Sequence, residues 1–329
     1  MLPLPPFQLH SPGTVNEALS LLAQLGPDAV LVAGGTDLLP NMKRGLLAPR
    51  HLVSLKEVSE LVGIREDGEH LHLGAMTPLD LLANDERVLA EAAALAEAAA
   101  SVGGPQHRRM GTLGGNLCLD TRCRYYDQTE FWRNALGYCL KKDGDLCHVV
   151  PGGQQCVAAA SNDSAAAAIA LNAVVEMVGP GGARSVPARD FYTADGISNT
   201  VRQPGELVIA LRVPRRRSRQ SAYEKLRRRG AIDFPMLSIA ASVETRDGRV
   251  ESLELVVSAL AARPRRVTKA ADLAVGKEPA KVPCEEIARF ARKSCTPLAN
   301  VDGDVKWRKE MVEVLVERVL HRVHLGAPG

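Results

Sequence analysis

The stretch Val32-Ala-Gly-Gly-Thr-Asp-Leu38 grows out of the apolar run Ala29-Val-Leu-Val-Ala33, and its reading decides the fold. A short continuous apolar run that stops at paired glycines predicts a strand buried on both faces and ending in a loop. Just upstream, Thr14-Val-Asn-Glu17 has the form of a capping box, and Val15, Ala18, Leu19 and Leu22 continue it at helical spacing until Gly26-Pro27. Helix, turn, strand and glycine loop predict a small α/β unit. Gly111-Thr-Leu-Gly-Gly-Asn116 repeats the loop chemistry further on. In both stretches bare glycine backbone stands beside small hydroxyl and amide side chains, so that N–H groups can approach the oxygens of a pyrophosphate with no Cβ in the way. Neither fits Gly-x-Gly-x-x-Gly or Gly-x-x-x-x-Gly-Lys-Ser/Thr, which removes the Rossmann and P-loop readings. Taken singly, each loop also reads as a plain tight turn.

Around these loops the chain alternates between strands and alanine-rich helices. His51-Leu-Val-Ser-Leu55 predicts a second strand, and the alternation at His70-Leu-His-Leu73 between Gly68 and Gly74 predicts an antiparallel hairpin. Residues 84–102 predict one alanine-rich helix closed by Gly103-Gly104-Pro105. Strand-like runs follow at Ala173–Val178 and Leu207–Val213. After Arg215-Arg-Arg217, the stretches Met236–Glu244 and Ser252–Ala259 flank an Asp247-Gly248 turn and predict a hairpin, with amphipathic helices near 284–294 and 304–324. These shifts place a domain boundary near residue 216.

Length and composition narrow the function classes. A chain of 329 residues predicts two domains, or one with a large insertion. Lys+Arg total 41 against 38 Asp+Glu, a near-balanced surface that argues against nucleic acid as a partner. No run of about 18 apolar residues and no signal-peptide pattern occurs, so the expectation is a cytoplasmic protein without a membrane partner. Of seven cysteines, five fall between 118 and 156. In a reducing compartment such clustering points to metal rather than to disulfides.

Val32–Leu38, Gly111–Asn116 and Ser161-Asn-Asp163, taken in order, resemble the FAD-binding medium subunit of the xanthine dehydrogenase and carbon monoxide dehydrogenase family of molybdenum hydroxylases. Gly205-Glu-Leu-Val-Ile209, Tyr223-Glu-Lys225, Arg229 and Asp233 extend the likeness over nearly the whole chain except 119–158. The resemblance implies an α+β fold: a vanillyl-alcohol-oxidase-like (PCMH-type) FAD-binding domain of two α/β subdomains over 1–216, then a C-terminal antiparallel sheet with helices over 217–329. It further implies that Val32, Ala33, Gly34, Gly35, Thr36 and Asp37 wrap the FAD pyrophosphate and that Val102 lies against the cofactor. Thr112, Gly114, Gly115 and Asn116 would line the adenosine and ribityl side, and Asp163 would accept from a hydroxyl there. Val208 and Lys225 map near the isoalloxazine ring. For Lys225, an exposed lysine at a strand start is an equally good reading of the residue alone.

The departure from the family is residues 119–158, which carry four cysteines and five of the twelve aromatic residues with little periodicity. Excising them joins Gly-Gly-Asn-Leu-Cys118 to Ala159-Ala-Ser-Asn-Asp163 and restores a family-like junction, so the stretch reads as an insertion and Cys118 as part of the flavin scaffold. Cys123, Cys139, Cys147 and Cys156 follow the pattern Cys-x15-Cys-x7-Cys-x8-Cys. Four thiolates suit a [4Fe–4S] cluster or a zinc site, and this spacing separates the two poorly. The redox context of the family favours the cluster. A flavin subunit with such an insert is similar to the β subunit of one branch of the family, the 4-hydroxybenzoyl-CoA reductases. That likeness implies a molybdenum-bearing large subunit, a small subunit with [2Fe–2S] clusters, a dimer of heterotrimers, ferredoxin as electron donor and reductive dehydroxylation to benzoyl-CoA. The alternatives are a flavin subunit of a xanthine or CO dehydrogenase-type hydroxylase passing electrons to NAD or another acceptor, and a zinc-bearing assembly subunit. His148 beside Cys147 is surplus to four thiols, Cys284 and Cys295 read as single core or surface residues, and the arginine runs 215–217 and 227–229 as solvated faces. No Ser/His/Asp or paired-carboxylate constellation places substrate chemistry on this chain.

Overall fold

A computed structural model describes residues 3–326. Strands β1 (Gln8–His10), β2 (Ala29–Val32) and β3 (His51–Ser54) form a parallel sheet in the order β1-β3-β2. The helix Val15–Leu25 that precedes β2 is capped by Thr14, whose hydroxyl accepts from Glu17 N–H at 3.2 Å. The Glu17 carboxylate reaches back to the N–H of Gly13 at 2.8 Å, one residue beyond the partner a capping box predicts. Strand β2 is half-buried at all four residues, not buried on both faces. It is an edge strand of a three-stranded sheet, and its apolar side chains pack in a small cluster with Ala18, Val53 and Leu55.

The second sheet joins segments far apart in sequence. Strands β4 (Ile64–Asp67), β5 (His70–Gly74), β6 (Val174–Gly179), β7 (Gly182–Pro187) and β8 (Leu207–Pro214) lie antiparallel in the order β4-β5-β8-β6-β7. The connection from β5 to β6 carries both the alanine-rich helices and the insertion. Residues 84–102 do not make one helix. Helices Glu86–Glu91 and Ala93–Ala100 are broken at Ala92 (φ −144°, ψ 44°). There the N–H of Ala94 turns to the hydroxyl of Ser221, 3.1 Å away on the C-terminal sheet, and tertiary contact overrides helix propensity. The helix Asp163–Ala170 is buried at all eight residues, and its alanines let it sit at close range in the main core.

Strands β9 (Arg219–Leu226), β10 (Leu237–Arg246), β11 (Arg249–Ser258) and β12 (Arg265–Arg266) form the last sheet, order β12-β11-β10-β9. Asp247 (φ 52°) and Gly248 (φ 73°) make the two-residue turn with positive φ at both positions that a twisted hairpin requires. Alternation along these strands sorts their side chains between two cores. Ile239, Ala241, Leu255 and Val257 pack under the helices Cys284–Ser294 and Val305–Arg322, while Tyr223, Ala240 and Val256 join the main core.

Residues 119–158 hold a single regular element, the helix Glu130–Ala135. They close at their base through Arg122 and Ala159, whose backbones exchange N–H···O bonds of 2.9 and 2.7 Å. Leu46, Cys123, Tyr126, Cys139, Cys156 and Ala158 form a small core there. Among the described residues no helix is long and apolar enough to cross a membrane.

Candidate functional site

Val32 ends β2, and Ala33–Asp37 run from it into the short helix Leu38–Lys43. Among the described residues the N–H groups of Gly34, Gly35, Thr36 and Asp37 donate to no protein acceptor, an arrangement of consecutive amides that suits an anion. Gly35 sits at φ +68°, the left-handed region where a side chain is strained. The adjoining glycine answers to a different constraint. A Cβ on Gly34 would stand 1.8 Å from the carbonyl oxygen of Met110, so the loop is pressed against the second glycine stretch.

That second stretch is not a loop. Thr112 caps a helical turn, Leu113–Leu117, its hydroxyl accepting from Gly115 N–H at 3.2 Å. Gly114 is required by packing, since a Cβ there would meet Ala75 Cβ at 2.8 Å, and one on Gly115 would meet Thr112 Oγ1 at 3.0 Å. Asn116 is buried, and its Oδ1 accepts from the N–H of Ser164 at 2.9 Å, which ties this turn to the start of the helix Asp163–Ala170.

Asp163 opens that helix inside the core, where its carboxylate is fully engaged. Tyr223 donates its hydroxyl to Oδ1 at 2.5 Å and Lys225 its ammonium to Oδ2 at 2.9 Å. The side chains of Lys225 and Asp163 are only 3% and 4% exposed, which rules out the surface-lysine reading. Lys225 also donates to the carbonyl of Ser101 at 3.2 Å, next to Val102. Burial and the Asp163 charge push the Tyr223 hydroxyl well above its ordinary pKa, so Tyr223 stays a donor. Val32–Asp37, Thr112–Asn116, Asp163 and Lys225 thus lie close to one another in turn, while Val102, next to Ser101, packs against the main core in which Val208 is buried. Tyr223 belongs to the site as well. Its signal was the strand alternation that puts it on the same face as Lys225, two residues on.

Cys123, Cys139, Cys147 and Cys156 lie 16, 8 and 9 positions apart in sequence, yet all four line one small cavity. Each is buried, 6–8% exposed. Tyr125, Tyr126, Lys141 and His148 share the wall. Among the described residues no group of three or more His, Cys, Asp or Glu side chains is placed to hold a metal ion, these four thiols included. Burial pushes the Cys123 thiol up to about 12 and raises that of Cys156 too. Thiols in this environment become thiolates on binding a metal. A Cβ on Gly196 would come within 2.7 Å of Cys156 Sγ, so this glycine, outside the insertion, forms part of the cavity's support. Cys118 is only partly buried, packed on the main core away from these four.

Between the two sites lies Arg122, which the sequence did not single out. Its guanidinium pairs with Asp37 at 3.2 Å and with Asp127 at 3.1 Å, and lies 3.9 Å from the centroid of Phe234. Burial raises the pKa of both carboxylates, and the arginine opposes that rise.

Residues 5–216 match the family described as the FAD binding domain in molybdopterin dehydrogenase, and residues 221–323 match the CO dehydrogenase flavoprotein C-terminal domain. The chain is 30% identical over 322 residues to the carbon monoxide dehydrogenase medium chain of Afipia carboxidovorans, with 98% of each chain covered. It is 33% identical over 274 residues to the aldehyde oxidoreductase FAD-binding subunit of Escherichia coli, covering 80% of this chain and 84% of that one. A solved structure of carbon monoxide dehydrogenase from Hydrogenophaga pseudoflava matches it with a TM-score of 0.79 at 30% identity, over 98% of both chains.

Proposed function

Because the chain belongs to the family of FAD-binding medium subunits of molybdenum hydroxylases, we propose that it is the electron-transferring flavoprotein subunit of a complex whose substrate chemistry occurs on another chain. The observation that carries this reading is the close approach of the Gly34 loop to Met110, together with the bond from Ser164 N–H to Asn116 beside the buried Asp163–Lys225 pair. FAD, when bound, accepts electrons singly or in pairs. The residues of this chain bind and orient it. The free amides of Gly34–Asp37 donate to phosphate oxygens, and Thr112–Asn116 shape the adjoining wall. Asp163 and Lys225 form a buried ion pair, and the ammonium so placed would donate to a polar atom of the cofactor. Domain limits near residue 216 give an FAD-binding unit, 1–216, and a C-terminal unit, 217–329. By likeness to the carbon monoxide dehydrogenases, the partners are a molybdenum-bearing large subunit and a [2Fe–2S] small subunit, assembled as a dimer of heterotrimers in the cytoplasm.

Two readings of electron flow share this frame. The relatives named above are CO and aldehyde oxidising enzymes, and their likeness favours a hydroxylase-type subunit that passes electrons from molybdenum to NAD or another acceptor. The four-cysteine cavity favours the second reading, in which Cys123, Cys139, Cys147 and Cys156 hold a [4Fe–4S] cluster that relays electrons from ferredoxin inward, as in a 4-hydroxybenzoyl-CoA reductase. Purification of the complex from its native host, followed by assays with NAD and with reduced ferredoxin, separates them. Ferredoxin-driven reduction, lost in Cys123→Ser while a flavin-accessible dye still reacts, is the result expected of the relay. NAD reduction that is indifferent to the cysteines establishes the hydroxylase reading, and stoichiometric zinc without iron makes the insertion an assembly element.

A further inference from the structure

We propose that Arg122 is a positioning residue that couples the glycine loop to the cysteine-lined cavity, so that a ligand at one is felt at the other. The inference rests on the reading of the glycine loop as an FAD site. Arg122 contacts both ends: one guanidinium nitrogen pairs with Asp37, the last residue of the loop, at 3.2 Å. The other pairs with Asp127 Oδ1 at 3.1 Å, while Asp127 Oδ2 accepts the backbone N–H of Cys123 at 2.9 Å. The Arg122 backbone meanwhile pairs with Ala159, which closes the insertion beside the cavity-lining Ala158. The Arg122 side chain is 14% exposed, and Phe234 from the C-terminal unit covers its face. A planar fork can serve two carboxylates in two directions at once, whereas an ammonium is a single point charge and cannot be shared so at a fixed geometry. Movement of Asp37 on phosphate binding is therefore transmitted through a rigid group to the amide of a cavity cysteine. In this arrangement the insertion is more than an appendage on the flavin scaffold, because its first ionic contact is made with the flavin loop itself.

The test is hydrogen exchange on the full-length chain, stripped of flavin and then given free FAD, for the wild type, Arg122→Met and Arg122→Lys. Circular dichroism serves as the check on folding. In the wild type FAD slows exchange in residues 33–37 and also in 120–127, the latter by at least about fivefold, the low end of ordinary coupling between sites. In Arg122→Met the loop is still protected but residues 120–127 are not. Arg122→Lys, which keeps the charge and one pairing, restores part of the effect. Equal FAD-dependent protection of 120–127 in Arg122→Met and the wild type overturns the inference, as does its absence from a wild type whose loop is protected. A wild-type loop that FAD leaves unprotected overturns the FAD reading as well, so the two failures are told apart.

Discussion

Single residues carry most of the argument for the flavin site, and two of the glycines behave differently. Gly34 is needed because a Cβ would strike the Met110 carbonyl at 1.8 Å. Gly34→Ala is therefore expected to destabilise the protein by about 1–3 kcal/mol or more, with or without FAD, as other overpacked contacts do. Melting in both states checks this, and a loss confined to the FAD-bound form would assign the glycine to the ligand instead. At the far end of the site, Tyr223→Phe removes one charge-assisted donor from Asp163 and should cost about 1.5–3 kcal/mol. Lys225→Met leaves a buried carboxylate without its cation and should cost about 3–5 kcal/mol. Denaturant titration should rank the lysine change above the tyrosine change; the reverse order would mean that the hydroxyl, not the ammonium, stabilises Asp163. Of these residues Lys225 was legible by resemblance and Tyr223 by its strand spacing. Arg122 was not legible, since its partner Asp37 lies 85 positions away and nothing local marks an arginine beside a cysteine as an ionic bridge.

Elements whose signals are local were readable. The Thr14 cap and the Asp247-Gly248 turn satisfy backbone constraints within a few residues, and both occur where their residue types predict. The break at Ala92 was hidden, because what ends that helix is Ser221, 127 positions from the Ala94 amide it receives. The strand opened by Gly205-Glu-Leu gives a pH test at this scale. Glu206 accepts from Arg184 at 2.6 and 2.7 Å and from the N–H of Gln203 at 2.6 Å, which pins the loop before β8 to β7. These bonds, the arginine first, hold its carboxyl below the usual 4.5. A depressed carboxyl stabilises the fold fully above its unfolded value, and the contribution disappears as pH falls through the folded one. Arg184→Ala should therefore lower the melting temperature by a constant amount near neutrality, with the gap to wild type closing below pH 4.5. A gap that persists unchanged in acid would show that the pair contributes by packing and not by charge.

At the scale of the molecule, three sheets and a buried alanine helix bring together residues from positions 32 to 225, and only tertiary structure could reveal how they meet. The ordered motifs named the residues of the candidate site, but not that the second glycine stretch is a helical turn or that Asn116 is bonded to the backbone at Ser164. For the insertion, sequence spacing left cluster and zinc both open, and what the fold adds is that the four buried thiols line one cavity. On the relay reading, Cys123→Ser, Cys139→Ser, Cys147→Ser and Cys156→Ser each abolish iron binding while keeping most of the FAD. The same change at Cys118, Cys284 or Cys295 should spare both cofactors, because none of these lines the cavity. The most direct test of the account is one set of determinations on the full-length chain purified without oxygen: flavin, iron, acid-labile sulfide and zinc per polypeptide. The account predicts one FAD per chain, and its relay reading adds about four iron and four sulfide; one FAD without iron leaves the hydroxylase reading standing alone, and a chain that holds no flavin would contradict the account.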